Sequence, residues 1–126
     1  MNVNHYKRES KNKSKMKKLF SLVIFAFISK ASFAQKVFSV KYESQANVKV
    51  YVVKYESQAD LKVYKVKYDS QAGDNNGKWF FVDYESQAKK KIYFVDYESQ
   101  ADLKIFFVDY ESQAGWRNTS KKHLLY

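Results

Sequence analysis

The chain has no cysteine and no proline among its 126 residues. Without cysteine no disulfide can staple the fold, and no lipidated thiol can anchor it. Without proline no turn has its backbone preset. Histidine occurs only at His5 and His123, so a nucleophilic serine in the body of the chain has no imidazole to activate it. Threonine occurs only at Thr119, which removes the regular threonine arrays of an ice-binding face. No apolar run reaches the ~20 residues of a membrane-spanning helix.

What is present begins with a leader. Met16 to Lys18 is a charged start, Leu19 to Ile28 is an apolar run, and "ASFA" ends at Ala34 with small residues at Ser32 and Ala34. This is the layout of a secretory signal peptide. Residues 1–34 are therefore expected to be removed, leaving Gln35 first and placing the protein in the periplasm, at the cell surface or outside the cell. Residues 1–15 look like a spurious extension, with Met16 as the true start. The formal charge of +10 belongs mostly to this segment. Eight of 23 basic residues but only one of 13 acids lie in it, leaving 15 bases and 12 acids elsewhere. Nucleic acid is thus not an expected partner. A secreted chain without cysteine fits a bacterial envelope better than an animal extracellular fluid.

The rest is repetition. Val-(Lys/Asp)-Tyr-(Glu/Asp)-Ser-Gln-Ala starts at Val40, Val53, Val66, Val82, Val95 and Val108, in steps of 13, 13, 16, 13 and 13 residues. The long step holds "GDNNG", Gly73 to Gly77, which reads as a solvated surface loop. Within a unit, Tyr51, Val53 and Tyr55 alternate with Val52 and Lys54, the period of a β-strand. The aromatic-x-Val-x-Tyr side is expected to be buried. The residue after each Ala (Asn47, Asp60, Gly73, Lys89, Asp102 and Gly115) is mostly of a type that tolerates a left-handed backbone, which predicts a bend there.

Length then limits the architecture. Thirteen extended residues span ~43 Å, so a whole coil per unit would leave too little for a five-residue strand. Each unit supplies one strand and one bend. The expected fold is all-β, with a two-sheet β-solenoid of two units per coil favoured over an antiparallel meander. Ladders of identical Ser and Gln would support the solenoid. Against it, stacked like charges cost roughly 0.9 kcal/mol per pair in water, whereas a meander brings Glu56 to Lys62.

The "VDYESQA" units ending in Gly115-Trp116 resemble a family of small exported bacterial tandem-repeat proteins, across Lys36 to Trp116. The resemblance implies export and repetition, and it carries no activity, cofactor or partner.

Candidate chemistry is sparse. The recurring serines lack a base, and the recurring acids form an even row rather than oxygens converging on a metal. No enzymatic activity, cofactor or metal is expected. Phe81, Phe94 and Phe107 occupy one slot of the second strand face, beside Asp83, Asp96 and Asp109. If exposed, they form an apolar stripe for contact with a protein, an envelope component or a second copy. The repeat domain is expected over 35–116, with 117–126 capping its last strand.

Overall fold

The computed structural model describes residues 34–126. The leader, its apolar run and the choice of start codon lie outside the described residues. The strands are β1 (Lys36–Ser39), β2 (Val48–Val52), β3 (Leu61–Lys65), β4 (Lys78–Phe81), β5 (Lys90–Phe94), β6 (Leu103–Phe107) and β7 (Gly115–Trp116). A short 3-10 turn follows each of the first six, from Glu43–Gln45 to Glu111–Gln113. Each unit is therefore one strand and one turn, and the described chain is all-β.

The strands do not form two stacked sheets. They lie side by side in the order β4-β1-β5-β2-β6-β3, and a further β3–β4 pairing closes the ring. The six strands of the ring all pair in parallel. Both sequence-based architectures, the two-unit solenoid and the meander, give way to a closed barrel. Closure pairs both sides of every strand and so removes the open edges that a sheet would expose.

Consecutive strands are not neighbours in most of this ring. Ser39 of β1 and Val48 of β2 both lie beside Ile92 of β5. The chain leaves one flank of β5 and re-enters the sheet on its other flank, with the exposed turn Glu43–Gln45 packed against β5 between them. The next connection crosses β6 in the same way, and those after β4 and β5 cross β1 and β2. Strands β1 to β3 make one circuit of the barrel. Strands β4 to β6 make a second circuit, filling the gaps left by the first.

The buried face is the opposite of the expected one. The inward ring is Val37, Val50, Val63, Trp79, Ile92 and Ile105, each 0% exposed. Val48, Leu61 and Leu103 fill the layer beside it. Tyr55, expected inside, is 66% exposed, and Tyr51 is only half-buried. Two physical reasons explain the correction. The strand ends at Val52, so the alternation that placed Tyr55 with Tyr51 stops before Tyr55 is reached. A barrel of six strands is also narrower than the eight-stranded barrels that side chains just fill, and two aromatic rings per strand do not fit. Val53 remains buried, with Val40, Val66 and Val95, but outside the interior cluster, where the connections leave the barrel.

Interleaving gives the two halves of the sequence complementary roles. The first circuit contributes three valines to the inward ring, and the second contributes Trp79, Ile92 and Ile105. Round the barrel, small and large side chains therefore alternate, which is how a narrow barrel fills.

Replacing Ile105 by Ala should cost ~2–5 kcal/mol, whereas Tyr55→Ala should stay within ~0.5 kcal/mol; urea unfolding of both variants checks the contrast. A fragment ending at Ala88 keeps only the β1–β4 and β3–β4 seams. Its far-ultraviolet circular dichroism is expected to be that of an unfolded chain.

Candidate contact surface

The connections follow one plan. Each begins with an extended tyrosine, such as Tyr55 at φ −122°, ψ 138°. The carbonyl of that tyrosine accepts the N–H of the following Gln, and the Glu carbonyl accepts that of Ala, as in Gln58 N to Tyr55 O and Ala59 N to Glu56 O, both 3.1 Å. Gln71 adds a clamp: its Oε1 accepts from the backbone N–H groups of Lys67 and Tyr68, each at 3.2 Å. The expected Ser and Gln ladders do not form among the described residues, because these residues occupy exposed turns on separate connections.

The residue after Ala works differently from the sequence reading. Of the six positions, only Gly115 has a positive φ. Asn47, Asp60 and Asp102 act through their side chains instead. Asn47 Oδ1 accepts from Lys91 N, Asp60 Oδ2 from Lys104 N and Asp102 Oδ2 from Lys49 N, each at 2.9 Å. The same three residues donate their own N–H to Lys91 O, Lys104 O and Lys49 O, each at 2.8 Å. Each Asn or Asp thus clasps both backbone groups of one lysine on the strand its connection crosses. Lys89 and Gly73 carry no such acceptor. At Lys78 the insertion supplies a substitute, Asn76 Oδ1, 3.3 Å from Lys78 N.

The insertion is not simply a solvated loop. Asn75 is buried, its backbone carbonyl accepts from Trp116 Nε1 at 2.8 Å, and its Nδ2 donates to Lys122 O at 3.0 Å. Gly77 has φ 89°, and a Cβ there would lie 2.4 Å from Lys62 O, so the close pass beside β3 excludes any larger residue. The C-terminal segment is held in turn. β7 pairs antiparallel with β3, and Leu125 is 0% exposed within the interior cluster.

Charge repulsion between units is avoided locally. Glu43, Glu56, Glu85 and Glu98 each pair with the lysine six residues on, the closest being Glu56 with Lys62 at 3.1 Å. The Glu56–Lys62 pair expected of a meander thus forms in a parallel barrel. Such exposed pairs contribute only ~0–1 kcal/mol each.

The six residues singled out from the sequence fall into two groups. Phe81, Phe94 and Phe107 end β4, β5 and β6 on the inward face, half-buried against the core. Lys65 Nζ lies 5.2 Å from the Phe81 ring centroid and 4.4 Å from that of Phe107, within range of a cation–π attraction. Asp83, Asp96 and Asp109 are exposed at the start of the connections. Strand order alternates them with Lys41, Lys54 and Lys67 round the barrel. The rings thus pack against the core, while the carboxylates two residues on stand in solvent.

The prominent exposed apolar groups were missed. Tyr42, Tyr55, Tyr68, Tyr84, Tyr97 and Tyr110 are 59–68% exposed, one on each connection. Their invariance among the units was visible in the sequence, but it was assigned to the core.

A shallow cleft is lined by Asp60, Glu98, Ala101, Asp102, Lys104, Asn118 and Lys121. Its carboxylates are already engaged: Asp60 and Asp102 by backbone N–H groups and Glu98 by Lys104. Among the described residues no group of three His, Cys, Asp or Glu side chains is arranged to hold a metal, and no helix is long and apolar enough to cross a membrane.

A barrel circled twice, with each circuit threaded through the other, is the layout of a torus knot. A family model described as "7(1) septoil knot domain" matches residues 34–117. The chain belongs to the septoil knot domain family. No curated protein and no solved structure matches it. The knot domain takes in all seven strands, and residues 118–126 lie beyond the match.

In the knot domain the clasp at Asp60 also holds the tail. Its carbonyl accepts from Arg117 N at 2.8 Å and Asn118 N at 2.9 Å, and its Oδ1 from Asn118 Nδ2 at 3.3 Å. Asp60→Ala leaves Lys104 N–H without its carboxylate and should cost ~1–3 kcal/mol. Lys89→Ala, at the equivalent position without a clasp, should change stability by less than ~0.5 kcal/mol. Chemical denaturation of the two variants side by side tests this.

Proposed function

We propose that the chain is exported and acts, without catalysis, as a rigid scaffold that displays Tyr-Glu-Ser-Gln on six connections for contact with a protein or another envelope component. One observation carries this reading: the tyrosine repeated without change in every unit is the exposed one. Repetition usually guards a core. Here the inward positions vary among Val, Ile and Trp, while the outward motif stays constant. Glu has a partner in lysine, and Gln clamps its turn at Gln71 and Gln113. The tyrosine rings stand largely in solvent. Each offers a large, stiff, amphipathic surface with few torsions to freeze, and Ser and Gln beside it supply adaptable hydrogen bonds. Six weak contacts on one rigid body gain by avidity. Export rests on the leader's layout, and it places the contact in the periplasm, at the cell surface or outside.

The second reading is self-assembly into an envelope or matrix structure. Open strand edges or apolar stripes would support it, and ring closure leaves few open edges among the described residues. The tyrosines and the half-buried Phe81, Phe94 and Phe107 at the barrel end remain as surfaces for it, with Asp83, Asp96 and Asp109 as exposed polar neighbours.

Replacing Tyr84, Tyr97 and Tyr110 together by Ala should reduce retention on envelope fractions of the producing cell ~100-fold or more, as expected for lost avidity, with an unchanged unfolding midpoint. Retention equal to that of the unaltered chain, even with all six tyrosines replaced, would sink the display reading. Light scattering at rising concentration separates the alternatives: growing particles mean self-assembly, and a constant monomer means display.

A further inference from the structure

Gln35 presents an unresolved chemical problem. Its side chain is 0% exposed, and neither Oε1 nor Nε2 has a hydrogen-bond partner. A buried, unpaired amide is costly, and nothing about packing requires one, since an apolar side chain would fill the same space. The backbone around it is well placed: Gln35 N donates to Gly73 O at 2.9 Å, and Gln35 O accepts from Phe80 N at 3.1 Å. Register sets it beside Trp79, in the inner wall of the barrel.

Gln35 is also the residue that cleavage after Ala34 leaves first, and the family match begins at residue 34. Cleavage adds a second cost. It converts a buried peptide nitrogen into an α-ammonium with an ordinary pKa near ~8, and a charge held out of water is costlier than an unpaired amide. It also removes Ala34 O, which accepts from Lys36 N at 3.0 Å.

We propose that the mature chain begins with pyroglutamate, formed from Gln35. The neutral α-amine attacks Cδ of its own side chain. A bond forms between N and Cδ, the Cδ–Nε2 bond breaks, and Nε2 leaves with a proton from the amine as ammonia. No oxidant, reductant or other reactant is consumed. The product answers two of these costs. The terminal charge disappears and the two unsatisfied N–H donors of Nε2 leave with the ammonia. The inference rests on the export reading and adds a modification to it.

The test is mass spectrometry of the protein recovered outside the cytoplasm of an exporting bacterium that expresses the full chain. The N-terminal peptide should begin at Gln35 with its mass lowered by one ammonia. Asn76–Gly77 can also lose ammonia as a succinimide, so fragmentation must place the loss on the first residue. Gln35→Asn cannot close a five-membered ring, and its N-terminal peptide should keep full mass and yield to aminopeptidase. A chain that begins with an open Gln35 overturns the lactam and leaves export standing. A chain that begins elsewhere, or never leaves the cytoplasm, overturns both.

Discussion

The width of the barrel governs this molecule. Six parallel strands enclose a lumen too narrow for a ring of aromatic side chains, so it is filled by valine, isoleucine and leucine with a single tryptophan. The fifteen tyrosine and phenylalanine side chains of the repeats must go elsewhere. Some lie half-buried at the barrel end and some cover the outer wall. One per connection stands in solvent.

The same constraint explains the winding. Parallel strands normally need a long crossover connection, often a helix. Here a connection of eight residues, Val40 to Asn47, suffices, because β2 begins level with the point where β1 ends, two places further round with β5 between them. The step leaves a strand-wide gap, and the second circuit fills it. Threaded chains are rare because they are hard to reach. Every ring seam but β3–β4 joins units three or four apart in sequence, so the second circuit must find places prepared by the first. The Asn47, Asp60 and Asp102 clasps hold each connection to the strand it crosses. The insertion, through Asn75 and Trp116, secures the end of the chain.

Much was legible in advance. The unit length, its division into one strand and one turn, the all-β class and the special standing of Gly73 to Gly77 follow from spacing alone. The site was less legible. Phe81, Phe94 and Phe107 share one slot of the repeat, but whether their face looks inward depends on ring closure. Tyr42 and its equivalents were assigned to the core because period two was carried past the end of the strand. The left-handed bend expected at Asn47, Asp60 and Asp102 was the right set of residues with the wrong device, since their side-chain oxygens act rather than their tolerance of positive φ.

By itself the sequence determined the local period, the punctuation and the repeated outward letters, because those depend on neighbours along the chain. Which strands meet, which face is dry and which aromatics reach solvent were decided only in three dimensions. Near-identical units can pair with a partner two, three or four places away at almost equal local cost. Only the volume available inside the closed ring distinguishes among them.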